Sequence, residues 1–285
     1  MSVRLVITDA MWDRIKPLMP ADPARGRRWA DHRRTLEAIA WKYRTCSPWR
    51  DLPDELGSFQ TAHKRLIRWA VDGTWERILG AVLAAADDGE DIGWTVSVDS
   101  TVCRAHQHAA GAEKKGAPDR DEPDDHGLGR SRGGLSTKIH LASSRARPLA
   151  LRVTAGQAGD APAFEAVMAS IRVPRSGSGR PRTRPDAVLA DRAYSSRAIR
   201  DHLRRRGIRA VIPQPSDQVG HRLRRGRAGG RPPDFNAEAY KERNTVERCI
   251  NRLKQWRGLA MRTDKLALAY QAALHLAAIL IWTRR

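Results

Sequence analysis

The chain has 285 residues, 41% of them hydrophobic, enough for one large domain or two moderate ones with packed cores. Its 52 Lys and Arg outnumber 32 Asp and Glu, a formal net charge of +20 that points to a polyanionic partner, nucleic acid ahead of an anionic membrane surface. The three cysteines, Cys46, Cys103 and Cys249, are far apart with no C-x-x-C pair, which indicates neither a disulfide framework nor a cysteine zinc site and suits a reducing cytosol.

At the N-terminus, MSVRLVITDAMW meets Asp9 before any long apolar run develops, so no secretory signal is read. Residues 9 to 92 then read as helices: TDAMWDRIKPLMP, DHRRTLEAIAWKYRT, SFQTAHKRLIRWAVDG and TWERILGAVLAAADD. Thr8 or Asp9, Asp31, Ser58 and Thr74 are the expected N-caps, and Pro20, Pro48 and Pro53 punctuate the connections. Such a small helical domain, residues 1–92, suits a helix-turn-helix docked on DNA. Arg33, Arg34, Lys64, Arg65 and Arg68 are its candidate phosphate contacts, whereas Trp41 and Trp69 are expected in the core.

After the acidic linker DDGEDIG the pattern changes to short β-branched runs, WTVSV (94–98), STKIHLAS (136–143) and PLALRVT (148–154), three strands expected to be antiparallel. A helix over AGDAPAFEAVMASI, a strand over 186–190, a helix capped by Ser195 or Ser196 and a strand over 208–213 follow, giving the order βββαβαβ. Residues 214–236 are rich in Pro, Gly and Arg and lack periodicity, so they read as a basic connection. Within it Arg222, Arg224 and Arg225 suit DNA backbone contact as well as they suit a solvated loop. The apolar C-terminal LALAYQAALHLAAILIW is interrupted by Gln271 and His275 and is short for a membrane span, so a buried helix is expected.

The stretch YKERNTVERCINRLKQW (240–256) reads as one helix. At about 100° per residue, Tyr240, Arg243, Glu247 and Lys254 share a face. Taken alone, this spacing fits a solvated Arg243–Glu247 pair separated by one helical turn. Two further acids, Asp99 in TVSVDST and Asp191 in AVLADRAY, stand one residue past apolar strands, at the sheet edge where ligands of α/β folds bind. Either could simply begin a turn. Together with Glu247 they form a set of hard oxygen ligands suited to two Mg²⁺ ions, with Lys254 and Arg243 placed to hold phosphates. His106 and His108 lack the further ligands of a zinc site, and GRSRGG (129–134) lacks the lysine and helix of a nucleotide-binding loop.

The spacing Y-x2-R-x3-E-x6-K, with HRRTLEAIAWKYRTCSPWRDLP, VDSTVCRAHQHAAGA, GRSRGGLSTKIHLA, LRVTAGQAGD, LADRAY and VERCINRLKQWRGLAMRTDKLA, resembles the bacterial insertion-sequence transposases of the DDE class, in the insertion sequence four and five superfamily and its group five. The likeness runs from about residue 8 to the end. It implies an α/β fold with a ribonuclease-H-like mixed sheet as the catalytic domain, residues 93–285, behind the helical DNA-binding domain. By it, Asp99, Asp191 and Glu247 match the catalytic, metal-binding acids, and Tyr240, Arg243 and Lys254 match residues that contact DNA. The implied cofactor is Mg²⁺, two ions, with Mn²⁺ able to substitute. The implied partner is double-stranded DNA, bound by a homo-oligomer in the cytoplasm, at the nucleoid, with no membrane and no nucleotide cofactor. A DNA-binding protein that has lost catalysis and a metal-dependent nuclease are the alternatives on the same fold.

Overall fold

The computed structural model describes residues 3–26, 28–111 and 122–284. Four helices come first: α1 (Asp9–Ile15), α2 (His32–Thr45), α3 (Phe59–Val71) and α4 (Thr74–Asp88). The side chain of Thr8 accepts from the Met11 amide and that of Asp31 from the Arg34 amide, satisfying donors that a helix start leaves open. Ser58 stands at the α3 cap without a side-chain bond, and α4 is entered through Gly73, whose φ of 73° is a glycine conformation. Trp69 is fully buried and meets Trp75 edge to face at 5.2 Å, whereas Trp41 is only partly covered.

The sheet is built around β1 (Thr95–Ala105). On one side it pairs antiparallel with β3 (Gly134–Ser144), which pairs antiparallel with β4 (Arg147–Ala155) and, at its start, with the short β2 (Gly129–Ser131). On the other side β5 (Ala187–Leu189) and then β6 (Arg209–Val211) run parallel to it. The connections are α5 (Asp160–Ser170), between β4 and β5, and α6 (Arg197–Arg205), between β5 and β6, with Ser196 accepting from Ile199 at the α6 start. The order β4-β3-β1-β5-β6, three antiparallel strands followed by two parallel ones, is the ribonuclease-H-like mixed sheet the sequence implied.

Three segments differ from expectation. The first strand does not stop at Val98; it continues to Ala105 because residues 97–104 are in register with 143–136 of β3. Likewise the basic connection contains a helix, α7 (Ser216–Arg224), which buries no residue and therefore carries no apolar periodicity to announce it. The expected helix over 240–256 is two helices, α8 (Ala237–Lys241) and α9 (Asn244–Lys254), separated by a tight turn at Glu242 and Arg243. In that turn Val246 donates to the Arg243 carbonyl and Thr245 to that of Glu242, and the Thr245 hydroxyl also donates to Glu242, a local bond that competes with regular helix.

After α10 (Arg257–Ala260) and β7 (Met261–Arg262), which pairs with the far end of β1, the chain ends in α11 (Ala267–Thr283). Almost every residue of α11 is buried, as a helix apolar all round requires. It packs against α2, α3 and α4 on one side and against β4 and α9 on the other, so the helical N-terminal part and the sheet share one continuous core. Its polar interruptions have partners: Gln271 donates to the Leu151 carbonyl, His275 faces Glu76 at 3.2 Å, and the Trp282 indole donates to Pro148. Among the described residues, no helix is long and apolar enough to cross a membrane.

Candidate active site

Side chains alternate along β1. Val96, Val98 and Ser100 turn to the face carrying α5, and Ser97 and Asp99 turn to the face carrying α9. Asp99 lies within the strand, its Oδ1 accepting the Ser100 amide at 2.8 Å. The parallel register pairs Ser97 with Leu189, and extending it by two residues sets Asp99 beside Asp191, just past the end of β5. There Asp191 caps a short turn, accepting the Ala193 amide at 2.8 Å.

Val246, Cys249 and Leu253 bury one side of α9 against the sheet, and Thr245 Oγ1 meets Ser97 Oγ at 3.2 Å. The first turn of the helix is thereby fixed over β1. Glu247 projects from that turn with 53% of its side chain exposed. Arg243 lies between the acids: Nη1 donates to Glu247 and Nη2 to Asp99, both at 2.8 Å. Burial pushes the Asp99 carboxyl up; the Ser100 amide and Arg243 oppose this, and the charges of Asp191 and Glu247 add to it. The three carboxylates therefore lie within electrostatic reach of one another.

The opposite face of β1 carries a second polar cluster that the sequence reading did not single out. Asp160, at the start of α5, accepts from Ser100 Oγ at 2.6 Å and from Lys138 Nζ at 3.1 Å. Burial alone would raise its pKa, but these hydrogen bonds and the nearby cations hold it below the ordinary value. His140 is 1% exposed and shares a hydrogen bond with Thr154 at 2.9 Å. Burial pushes its pKa down to about 4, the favourable charge of Asp160 being too weak to offset it. Tyr194, from LADRAY, is buried against Phe164, and burial, then Asp160, Asp99 and Asp191, push its phenol well up. The available signal was parity: Lys138 and His140 alternate in STKIHLAS where a two-sided strand should be apolar.

The remaining sequence candidates are dispersed. Tyr240 is on α8, packed on Ala187, Leu189 and Val211 and edge to face with Phe235 at 5.4 Å. Lys254 ends α9 and donates to the Val102 carbonyl at 3.3 Å. In the basic segment Arg224 and Arg225 are exposed and Arg222 partly so, with Arg224 donating to His221. Among the N-terminal candidates Lys64 and Arg68 are exposed on α3. Arg33 pairs with Asp9 and the Ile7 carbonyl, and Arg34 is bound to the carbonyls of Asp54 and Glu55.

Arg65 requires a correction. It is 5% exposed, its guanidinium lying over Trp29 at 4.0 Å and Trp69 at 5.0 Å and bonded to His32, so packing with aromatics occupies the group expected to reach phosphate.

Asp99, Asp191 and Glu247 are hard oxygen donors of the kind that divalent cations prefer. In the present arrangement no three His, Cys, Asp or Glu side chains among the described residues converge on one point, and the Arg243 guanidinium holds two of the acids. The donor chemistry fits a divalent cation once that guanidinium moves aside.

Comparisons with known proteins bear on the whole chain. The family model described as "Putative transposase of IS4/5 family" matches residues 7–79, and the model "Transposase DDE domain" matches residues 92–282. Among similar proteins, "Uncharacterized protein y4sN" of Sinorhizobium fredii is 39% identical over 110 residues, 38% of this chain and 83% of that one. The "Putative transposase for insertion sequence element IS6501" of Brucella ovis is 29% identical over 151 residues, 53% of this chain and 100% of that one. An uncharacterised 16.2 kDa protein of insertion element IS402 from Burkholderia cepacia is 34% identical over 108 residues, 35% of this chain and 74% of that one. Among solved structures, the Mos1 transposase paired-end complex with left transposon end is similar at 11% identity, covering 84% of this chain and 82% of that one, with a TM-score of 0.25, too low to bear on the site. The whole sheet, the three acids and α9 fall inside the DDE match, and the chain belongs to the DDE transposase family.

Proposed function

We propose that this transposase binds the terminal inverted repeats of its own insertion sequence, cuts the DNA at those ends and joins the freed 3′-OH to target DNA, all at the site formed by Asp99, Asp191 and Glu247. The observation that supports the reading is the Arg243 guanidinium shared between Asp99 of β1 and Glu247 of α9, with Asp191, past the end of β5, near enough for its charge to act on Asp99. Membership of the family implies use of a divalent metal, here assigned as a pair of Mg²⁺ ions replaceable by Mn²⁺. When bound, such ions stabilise the attacking and leaving oxygens of an in-line displacement at phosphorus.

The protein groups divide the remaining work. Asp99, Asp191 and Glu247 supply the oxygen ligands, each on an element anchored in the core. Lys254 of α9, Arg243 from the turn before it and Tyr240 of α8 hold the phosphate backbone, with Arg222, Arg224 and Arg225 extending the grip along the DNA. Lys64 and Arg68 of α3 contact phosphates near the inverted repeat, while Arg33 braces the start of α1 and Arg34 the turn before α3. Base readout then belongs to the helical part, residues 1–92, and backbone grip to residues 93–285. Capturing two ends in one event calls for a homo-oligomer on DNA, in the cytoplasm and at the nucleoid.

The test uses the full-length protein, Mg²⁺, a duplex carrying the repeat that flanks this reading frame, and a target plasmid. Joined products are expected. Cut ends without joining would favour a nuclease, and bound but intact DNA a protein that only binds.

A further inference from the structure

Arg243 is better placed than an exposed helix pair requires. Its side chain and that of Asp99 are each 17% exposed, and one planar guanidinium spans two carboxylates that lie on different elements, 144 residues apart for Arg243 and Asp99. The backbone contributes as well. Arg243 sits in the tight turn that separates α8 from α9, with its amide bonded to Tyr240 and its carbonyl to Val246, so the side chain leaves the chain directly over β1. Its Nε is buried without a partner. Both oxygens of Asp99 are engaged, Oδ1 by the Ser100 amide and Oδ2 by Arg243. A cation ligated by Asp99 and Glu247 needs oxygen lone pairs that the guanidinium now holds.

We propose that Arg243 is a positioning residue that stands in for the cation: it holds Asp99 and Glu247 in place in the DNA-free protein and must leave them, for a backbone phosphate of the incoming DNA, before a divalent ion can load. The inference rests on the reading that these carboxylates bind a divalent cation. It adds a consequence that reading lacks, that metal affinity is held down until DNA is present. A phosphate diester competes for the guanidinium with the same bidentate geometry as a carboxylate, so DNA itself releases the acids.

The test is Mn²⁺ binding to the full-length protein, followed by the loss of the free-ion electron paramagnetic resonance signal, with and without a short duplex. Without DNA, Arg243→Ala is expected to bind Mn²⁺ about tenfold more tightly than wild type, because apparent affinity falls with the fraction of molecules whose site is open. Adding DNA should raise the wild-type affinity toward that of the variant and change the variant little. In the absence of metal the variant should melt at lower temperature, and Mn²⁺ should restore more of the loss than it adds to wild type. Arg243→Gln, which keeps the size and removes the charge, should behave in the same way and serves if the alanine variant does not fold. Equal or weaker Mn²⁺ binding by both variants would overturn the inference while leaving the cation reading in place. Mn²⁺ binding that survived in Asp99→Asn/Arg243→Ala at full strength would instead remove the cation reading itself.

Discussion

His140 shows how strongly the sheet perturbs single residues near the acids. With a folded pKa of about 4 against 6.5 for the free side chain, the unfolded chain binds more protons than the folded one between those values. The contribution of this residue to stability is therefore complete above about pH 6.5 and is lost as pH falls through about 4, a loss of up to about 3 kcal/mol. His140→Gln should flatten that part of the profile, read as urea midpoints at pH 7 and pH 4.5. A slope equal to that of wild type would place the titration elsewhere. Beyond the parity of Lys138 and His140, the sequence did not show this cluster, since Lys138, His140 and Asp160 meet only after β3 pairs with β1 and α5 folds over both. Asp99, Asp191 and Glu247 could be nominated because each interrupts an apolar or basic run with an acid, but the guanidinium shared by Asp99 and Glu247 could not be foreseen. Arg65 misled because its charge is plain in the sequence, whereas its cover, Trp29 from a distant loop together with Trp69 one turn along the same helix, forms only on folding.

Among the elements, the segment from β7 into α11 depends on a side chain whose importance the sequence does not signal. Arg262 is 0% exposed and makes hydrogen bonds to the carbonyls of Asp264, Lys265, His126 and Gly127 and to the Thr137 hydroxyl, tying β3 and the 126–127 turn to the approach of α11. Glu122 complements it by accepting the Ala267 and Leu268 amides at the start of α11. Arg262→Met leaves several buried acceptors without donors and should cost on the order of 3 kcal/mol or more, seen as a lower denaturant midpoint at unchanged slope. A change under about 0.5 kcal/mol, the range of ordinary surface substitutions, would deny Arg262 this role. The succession of strands and most helices could be read from periodicity, and the arrangement of the sheet only from the family resemblance. The extension of β1, the turn between α8 and α9 and the helix α7 could not, because they depend on long-range register, on a local threonine bond and on a helix with no buried face.

For the whole molecule, the continuous core sets what can be separated. Because α11 is covered by α2, α3 and α4, a fragment of residues 93–285 exposes a long apolar helix and should lack a cooperative unfolding transition. A sharp transition in that fragment would show that the sheet domain is self-sufficient. The net charge of +20 should make DNA binding fall steeply with salt through release of counterions, and a flat response in a salt titration would remove phosphate neutralisation as the source of affinity. The division between the two parts is thus better probed by point changes at Lys64 and Arg68 than by truncation. The central claim, that one three-carboxylate site performs both cutting and joining, is tested most directly by Asp99→Asn, Asp191→Asn and Glu247→Gln in the full-length protein, each assayed for cleavage and joining of end-bearing DNA in Mg²⁺ alongside DNA binding and thermal melting. Folded variants that bind DNA but have lost cleavage and joining together are expected, by about a hundredfold or more for the loss of a group acting on the transition state; near-normal cleavage by any of the three would show that the acids do not form one site.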